Sequence, residues 1–167
     1  MKKLLIALAM LCLASKHFAQ TNPVIKDGLY LVAGIVSDST HIEPNDKQKV
    51  LVRFNKQFIE NAPENSMGII VYTDNFVPLE LDKKPELRKQ NASQKTVELC
   101  FSKLASDKLA AFTSHNIMKE ATLIVNGEAL TLHKIRAAIT GGKMEISRCG
   151  DNACEKIYAE LLKNLKR

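Results

Sequence analysis

Two apolar, β-branched runs, Leu29 to Val36 and Val50 to Phe54, are separated by a polar stretch from Ser37 to Lys49 in which Pro44, Asn45 and Asp46 mark a turn. Runs of this length and composition predict strands, and the stretch between them predicts a surface loop. Gly68 to Tyr72 predicts another strand. Phe76 to Leu81 predicts a further one, but Pro78 cannot donate to a ladder, so this run reads as an edge strand or an extended loop. Lys83 to Lys95 is rich in lysine and arginine and lacks apolar periodicity, which reads as a solvated connector or, alternatively, as a basic patch for an acidic partner.

Beyond the connector the pattern sharpens. Val97, Leu99 and Phe101 alternate with Glu98, Cys100 and Ser102, the period of a half-buried strand. Ser102 to Asn116 then predicts a helix with Ser102 as N-cap and a stripe of Leu104, Ala105, Leu109, Phe112 and Ile117. Ala121 to Val125 and Ala129 to Leu132 flank Asn126-Gly127, the favoured pair for a two-residue hairpin turn. Gly141 and Gly142 mark a turn or a close backbone approach before a last strand from Met144 to Arg148. From Asn152 to Lys166 the apolar positions Cys154, Ile157, Tyr158, Leu161, Leu162 and Leu165 recur at helical spacing, with charges on the other side.

The start of the chain has a different character. Lys2 and Lys3 precede an apolar run from Leu4 to Ala14 and a polar stretch ending at Ala19 and Gln20, the layout of a secretion signal cleaved near Ala19/Gln20. The run is about half of the roughly 20 residues that a helix needs to cross a hydrocarbon core. The expectation is a protein of the periplasm or exterior without a stable membrane span. Removing Lys2, Lys3 and Lys16 from 24 basic residues leaves 21 against 18 acidic, a balance of +3. With no tryptophan and few aromatics, this mild bias argues against a nucleic-acid partner.

The cysteines left after such a cleavage are Cys100, Cys149 and Cys154. Four residues including Gly150 separate the last two, so Cys149 and Cys154 are the natural disulfide pair in an oxidising compartment. Their spacing exceeds the two residues of the thioredoxin-type motif, which favours a structural bridge over a working dithiol. Cys100, out of phase with the apolar positions of its strand, reads as a buried, inert thiol. His41, His115 and His133 are scattered, no nucleophile elbow surrounds any serine, and Gly141-Gly142 lacks the spacing of a phosphate loop. No catalytic residue, cofactor or metal is therefore expected.

The stretch from Val97 to Ser147 resembles the head subdomain of the first periplasmic region of SecD, the accessory subunit of the bacterial protein-export channel. The shared pattern is Val97-x-Leu99-x-Phe101, Phe112-Thr113, Ala121 to Val125, Asn126-Gly127, Ile139-Thr140-Gly141-Gly142 and Ile146. Departures include Met118, where the family usually has glycine, and the cysteine pair with the C-terminal helix, which are additions. The resemblance implies a sheet face or edge presented to a polypeptide segment or an envelope protein, the edge supplied by either the Pro78 segment or the Asn126-Gly127 hairpin, with Asn126, Gly127, Gly141 and Gly142 as partner-binding positions.

These readings combine into an α+β fold, a mostly antiparallel sheet with two main helices, Ser102 to Asn116 and Asn152 to Lys166, packed on it. The expected organisation is a signal over 1–20, a strand-rich part over 21–95, and a SecD-head-like part with the C-terminal helix over 96–167. The expected role is a non-catalytic binding module linked to export. The alternatives are a thiol-active envelope protein using Cys149 and Cys154, and a secreted small-ligand binder.

Overall fold

The computed structural model describes residues 25–37, 48–54, 66–90, 94–147 and 153–165. The signal, the loop between the first two strands, and Cys149 lie outside the described residues. Among the described residues, nine strands and two helices follow one another: β1 (Gly28–Ser37), β2 (Lys49–Phe54), β3 (Ser66–Pro78), β4 (Glu86–Lys89), β5 (Lys95–Cys100), α1 (Lys103–His115), β6 (Glu120–Val125), β7 (Glu128–Ala129), β8 (His133–Lys134), β9 (Lys143–Ile146) and α2 (Ala153–Asn164). This is an α+β fold.

The strands form two sheets rather than one. The larger has the order β1-β3-β2-β7-β6-β8, and an additional β1–β6 pairing closes it on itself. All its pairs are antiparallel except β2–β7, where Arg53 and Phe54 run parallel to Glu128 and Ala129. The smaller sheet is antiparallel, in the order β4-β5-β9. The two join where Leu81 bridges Phe101 and the Ser102 amide donates to the Glu80 carbonyl at 2.8 Å.

Period-two alternation on β1 and β6 sorts the core. Leu29, Leu31, Ala121, Leu123 and Val125 join a cluster with Leu109 and Phe112 of α1 and Ile157 and Leu161 of α2. Tyr30 and Ile124, on the opposite faces of those strands, pack with Val52, Ile69 and Val71 inside the closed sheet. Each fully buried leucine or isoleucine here contributes about 2 kcal/mol. Tyr30 stacks on Phe76 with centroids 4.7 Å apart, and its hydroxyl donates to the Lys26 carbonyl at 2.8 Å. Desolvation pushes this phenol up to about 12, with the Lys26 bond opposing and Asp27 adding to the shift.

Helix α1 starts where Ser102 Oγ accepts from the Ala105 amide at 3.3 Å, and it ends at Asn116, whose buried Nδ2 donates to the Phe112 carbonyl. Its stripe is narrower than the sequence predicts. Leu104 and Ile117 are 62% and 48% exposed, because α1 lies on the sheet through Ala105, Leu109, Phe112 and Thr113 alone. Helix α2 packs on the smaller sheet through Cys154, Ile157 and Leu161, and Lys95 of β5 pairs with Glu155.

Three further expectations are corrected. Gly68 to Tyr72 and Phe76 to Leu81 are not two strands: β3 runs through both to Pro78, which ends it and so leaves no interior ladder bond wanting a donor. The two runs look separate because Tyr72 to Asn75 bulge out between the pairs Val32–Val71 and Tyr30–Phe76. The basic connector contains β4, whose Leu87 packs on the main core while Arg88 bridges Glu86 and Glu98 at 3.0 Å each. Cys100 is a free thiol, half-buried on the polar face of β5, 3.8 Å from Glu98, because the layer over β5 covers its Val97–Leu99 face.

Candidate functional site

The hairpin expected at Asn126-Gly127 forms. Ile124 pairs with Ala129 and Val125 with Glu128, and Asn126 and Gly127 have φ of +52° and +78°, the double left-handed turn that suits the twist of a hairpin. Past the turn, Leu130 donates to the Leu123 carbonyl, and Thr131 Oγ1 accepts from the Leu123 amide. Both hairpin strands lie inside the closed sheet, with β1 beside β6 and β2 beside β7. The hairpin therefore offers no edge to a partner, and its Asn126 amide is already given to Asp27 Oδ1 at 2.7 Å.

The glycine pair is also committed to the frame. Gly142, at φ +65°, lies so close to α1 that a Cβ there would stand 2.4 Å from Ser106 Oγ, and its carbonyl accepts from the Phe101 amide. Gly141 is exposed. Just before the pair, the Ile139 amide donates to Thr113 Oγ1, which itself donates to the Leu109 carbonyl. The four positions are thus held at two separate anchors, Asp27 for the hairpin and the start of α1 for the glycines.

The open surface lies at the other end of β1. Gly28 to Leu31 pair with Ile124 to Ala121 on one side while β3 lies on the other. Beyond Leu31 the β3 pairing continues to Ser37, but β6 has ended, and no strand among the described residues covers the outer edge of β1. The chain that precedes β6 turns away: the Met118 amide donates to the Ile135 carbonyl, and the Ile135 amide donates back to the Lys119 carbonyl. This divergence leaves a solvent-open cleft of about 780 Å³. Leu31, Val32 and Gly34 form one wall, Tyr72 and Asp74 of the β3 bulge another, and Met118 with Lys119 and Glu120 a third.

The open half of β1 is unusual in composition. Among the described strands, β1 alone has no charged residue. The other edges are blunted: the open part of β2 by Lys49, β4 by Glu86, Arg88 and Lys89, β8 by Lys134, β9 by Lys143 and Glu145, and the end of β3 by Pro78. Charges and prolines on edges are how proteins keep foreign strands away. The stretch Val32 to Val36 carries neither, and nothing packs where a Cβ on Gly34 would stand. Sequence reasoning missed this site, although a ten-residue strand without a charge was the signal that pointed to it.

The arrangement supplies main-chain donors and acceptors, an apolar wall and a few charges. No three His, Cys, Asp or Glu side chains gather as a metal site requires among the described residues, and no helix there is long and apolar enough to cross a membrane.

No family model matches the chain, and no curated protein does. Among solved structures, the chain is similar to a SecDF structure presented as a membrane component that enhances protein export, at 19% identity and a TM-score of 0.45, over 83% of this chain and 62% of that one. It is also similar to SecDF in a super-membrane-facing form, at 19% identity and a TM-score of 0.48, over 81% of this chain and 18% of that one. A third likeness is to SecDF from Thermus thermophilus, a translocon-associated membrane protein, at 14% identity and a TM-score of 0.42, over 84% of this chain and 29% of that one. The chain spans less than two thirds of the length of each.

Proposed function

We propose that this domain is a non-catalytic binding module of the cell envelope that takes an extended polypeptide segment as an added strand along the open half of β1. The observation that carries the reading is the uncharged edge from Val32 to Val36, which no strand among the described residues covers, beside a cleft. A strand added there pairs main chain to main chain, which gives affinity without demanding a particular sequence. Envelope placement rests on the signal pattern of residues 1–20, and the link with protein export rests on the SecD-like sequence pattern between Val97 and Ser147.

In this reading Asn126, Gly127, Gly141 and Gly142 hold the frame and leave contact with the partner to β1. The proposed bridge between Cys149 and Cys154 is structural. Cys154 is buried with its Sγ 3.1 Å from the Lys95 carbonyl, so a bond to Cys149 would tie the start of α2 to the end of the smaller sheet.

The test uses a capped heptapeptide of alternating valine and serine and two N-methylated forms of it, one for each alternate set of amides. Only every second amide of an added strand faces the edge. Methylation in one phase should abolish binding and in the other should leave it, with hydrogen-exchange protection appearing between Val32 and Val36. Binding indifferent to both phases, or protection confined to the Asn126-Gly127 hairpin, rules the reading out.

A further inference from the structure

We propose that Met118 and Asp74 make the cleft selective, favouring an extended segment that presents an apolar side chain and, within the same short stretch, a lysine or arginine. This rests on the edge reading above and adds to it the chemistry of the partner.

Met118 is the first ground. Its backbone lies at φ +68°, in the left-handed region that costs a residue with a Cβ about 1 kcal/mol relative to glycine. The turn does not need the side chain, because the hydrogen bonds that shape it are main-chain bonds: Met118 N–H to the Ile135 carbonyl at 2.8 Å and Lys119 N–H to the Asn116 carbonyl at 3.1 Å. Nor does the side chain serve the core, being 63% exposed. A methionine here therefore weakens the fold while holding a flexible, polarisable apolar group at the cleft that Leu31 and Tyr72 also line. Methionine adapts to differently shaped apolar partners, which suits a surface that takes varied side chains.

Charge is the second ground. Four charged residues line the cleft: Asp74, Lys119, Glu120 and Lys134. Glu120 lies directly across the β6–β8 pair from Lys134, so each has an opposite charge as its cross-strand neighbour. Lys119 Nζ donates to Asn116 Oδ1 at 3.0 Å. Nearby, the Lys49 ammonium stands over the Tyr72 ring, 5.4 Å from its centroid. Asp74, exposed on the β3 bulge, has no ion pair among the described residues. A cation on the incoming strand is the complement it lacks.

The experiment compares two capped heptapeptides of alternating valine and serine, one with a valine replaced by lysine and the other with the same valine replaced by glutamate. Binding to the whole protein is followed by fluorescence anisotropy. The lysine peptide should bind about tenfold tighter at low salt, with the preference shrinking as salt screens it. Asp74→Asn should reduce that preference to less than about twofold without weakening the glutamate peptide. Met118→Gly should weaken both peptides about fivefold while raising Tm, and Met118→Leu should restore most of the affinity.

The opposite signs of stability and affinity in Met118→Gly exclude a merely structural role. Equal binding of the lysine and glutamate peptides, or a Met118→Gly protein that binds as tightly as the parent, overturns the proposal. If the N-methylation phases still separate in that case, the edge reading stands and the selectivity alone falls. If no peptide binds, both fall.

Discussion

The two halves of β1 are both uncharged and largely apolar, and their surroundings are opposite. Gly28 to Leu31 is buried, with β3 on one side and β6 on the other. Val32 to Ser37 is partly buried apart from Ala33, which is exposed, and Val36, which is buried; β3 lies on one side, and on the other Val32 to Gly34 line an open cleft. An apolar, uncharged sequence therefore does not report whether a strand is paired on both edges. It reports that the strand can be, and the uncharged open half has kept that capacity where the other edges have lost it to charge or proline.

The comparison can be broken most forcefully by truncation. Leu29→Ala removes a side chain that is 6% exposed and should cost about 3 kcal/mol, whereas Ile35→Ala, in the open half, should cost less than about 1 kcal/mol. Urea denaturation of the two variants decides it, and equal costs would mean that the open half is packed as tightly as the closed one.

The glycines of the strand sharpen the contrast with a single substitution. A Cβ on Gly28 would stand 2.5 Å from the Val77 carbonyl oxygen, so Gly28→Ala should cost about 2 kcal/mol. On Gly34 it would meet nothing within 4 Å, so Gly34→Ala should raise stability by about 0.5 kcal/mol through a less flexible unfolded chain. Thermal unfolding in opposite directions is the expected result.

Alkaline pH probes the closed half by itself. The Tyr30 phenol is protonated in both states below pH 10; above it the unfolded chain releases its proton first, since burial holds the folded phenol to about 12. The stability that Tyr30 contributes is therefore whole below pH 10 and is lost as pH rises through about 12. Tyr30→Phe should lack this fall, as stability curves at pH 9 and pH 11 would reveal.

The smallest effect concerns the partner strand. Thr122 Oγ1 is fully buried beside Tyr30 without a hydrogen-bond partner among the described residues. Thr122→Val keeps the branched shape and removes an unmatched polar group, so it should stabilise by about 1 kcal/mol or somewhat less. Destabilisation in calorimetry would show that the hydroxyl is hydrogen-bonded in the folded protein.

Legibility followed the range of the interaction. The hairpin could be read because Asn126 and Gly127 take left-handed backbone conformations that few other residues accept, and the start of α1 because Ser102 caps a turn three residues long. The exposure of Leu104 could not, because it depends on which side of α1 the sheet lies. The polar-face position of Cys100 depends likewise on where α2 packs, and the unity of β3 on a bulge that only its pairing with β1 defines.

The sequence by itself determined the elements that local chemistry specifies: the caps, the turn, the period of the helices and the strand content of an α+β chain. Tertiary structure alone decided that the strands divide into two sheets, that the larger closes through β1 and β6, and that the closure stops at Leu31. The reason is physical. A backbone donor takes whichever acceptor the fold brings to it, and for Val32 to Val36 the choice lies with Met118 and Lys119, whose turn carries the chain away more than eighty residues later.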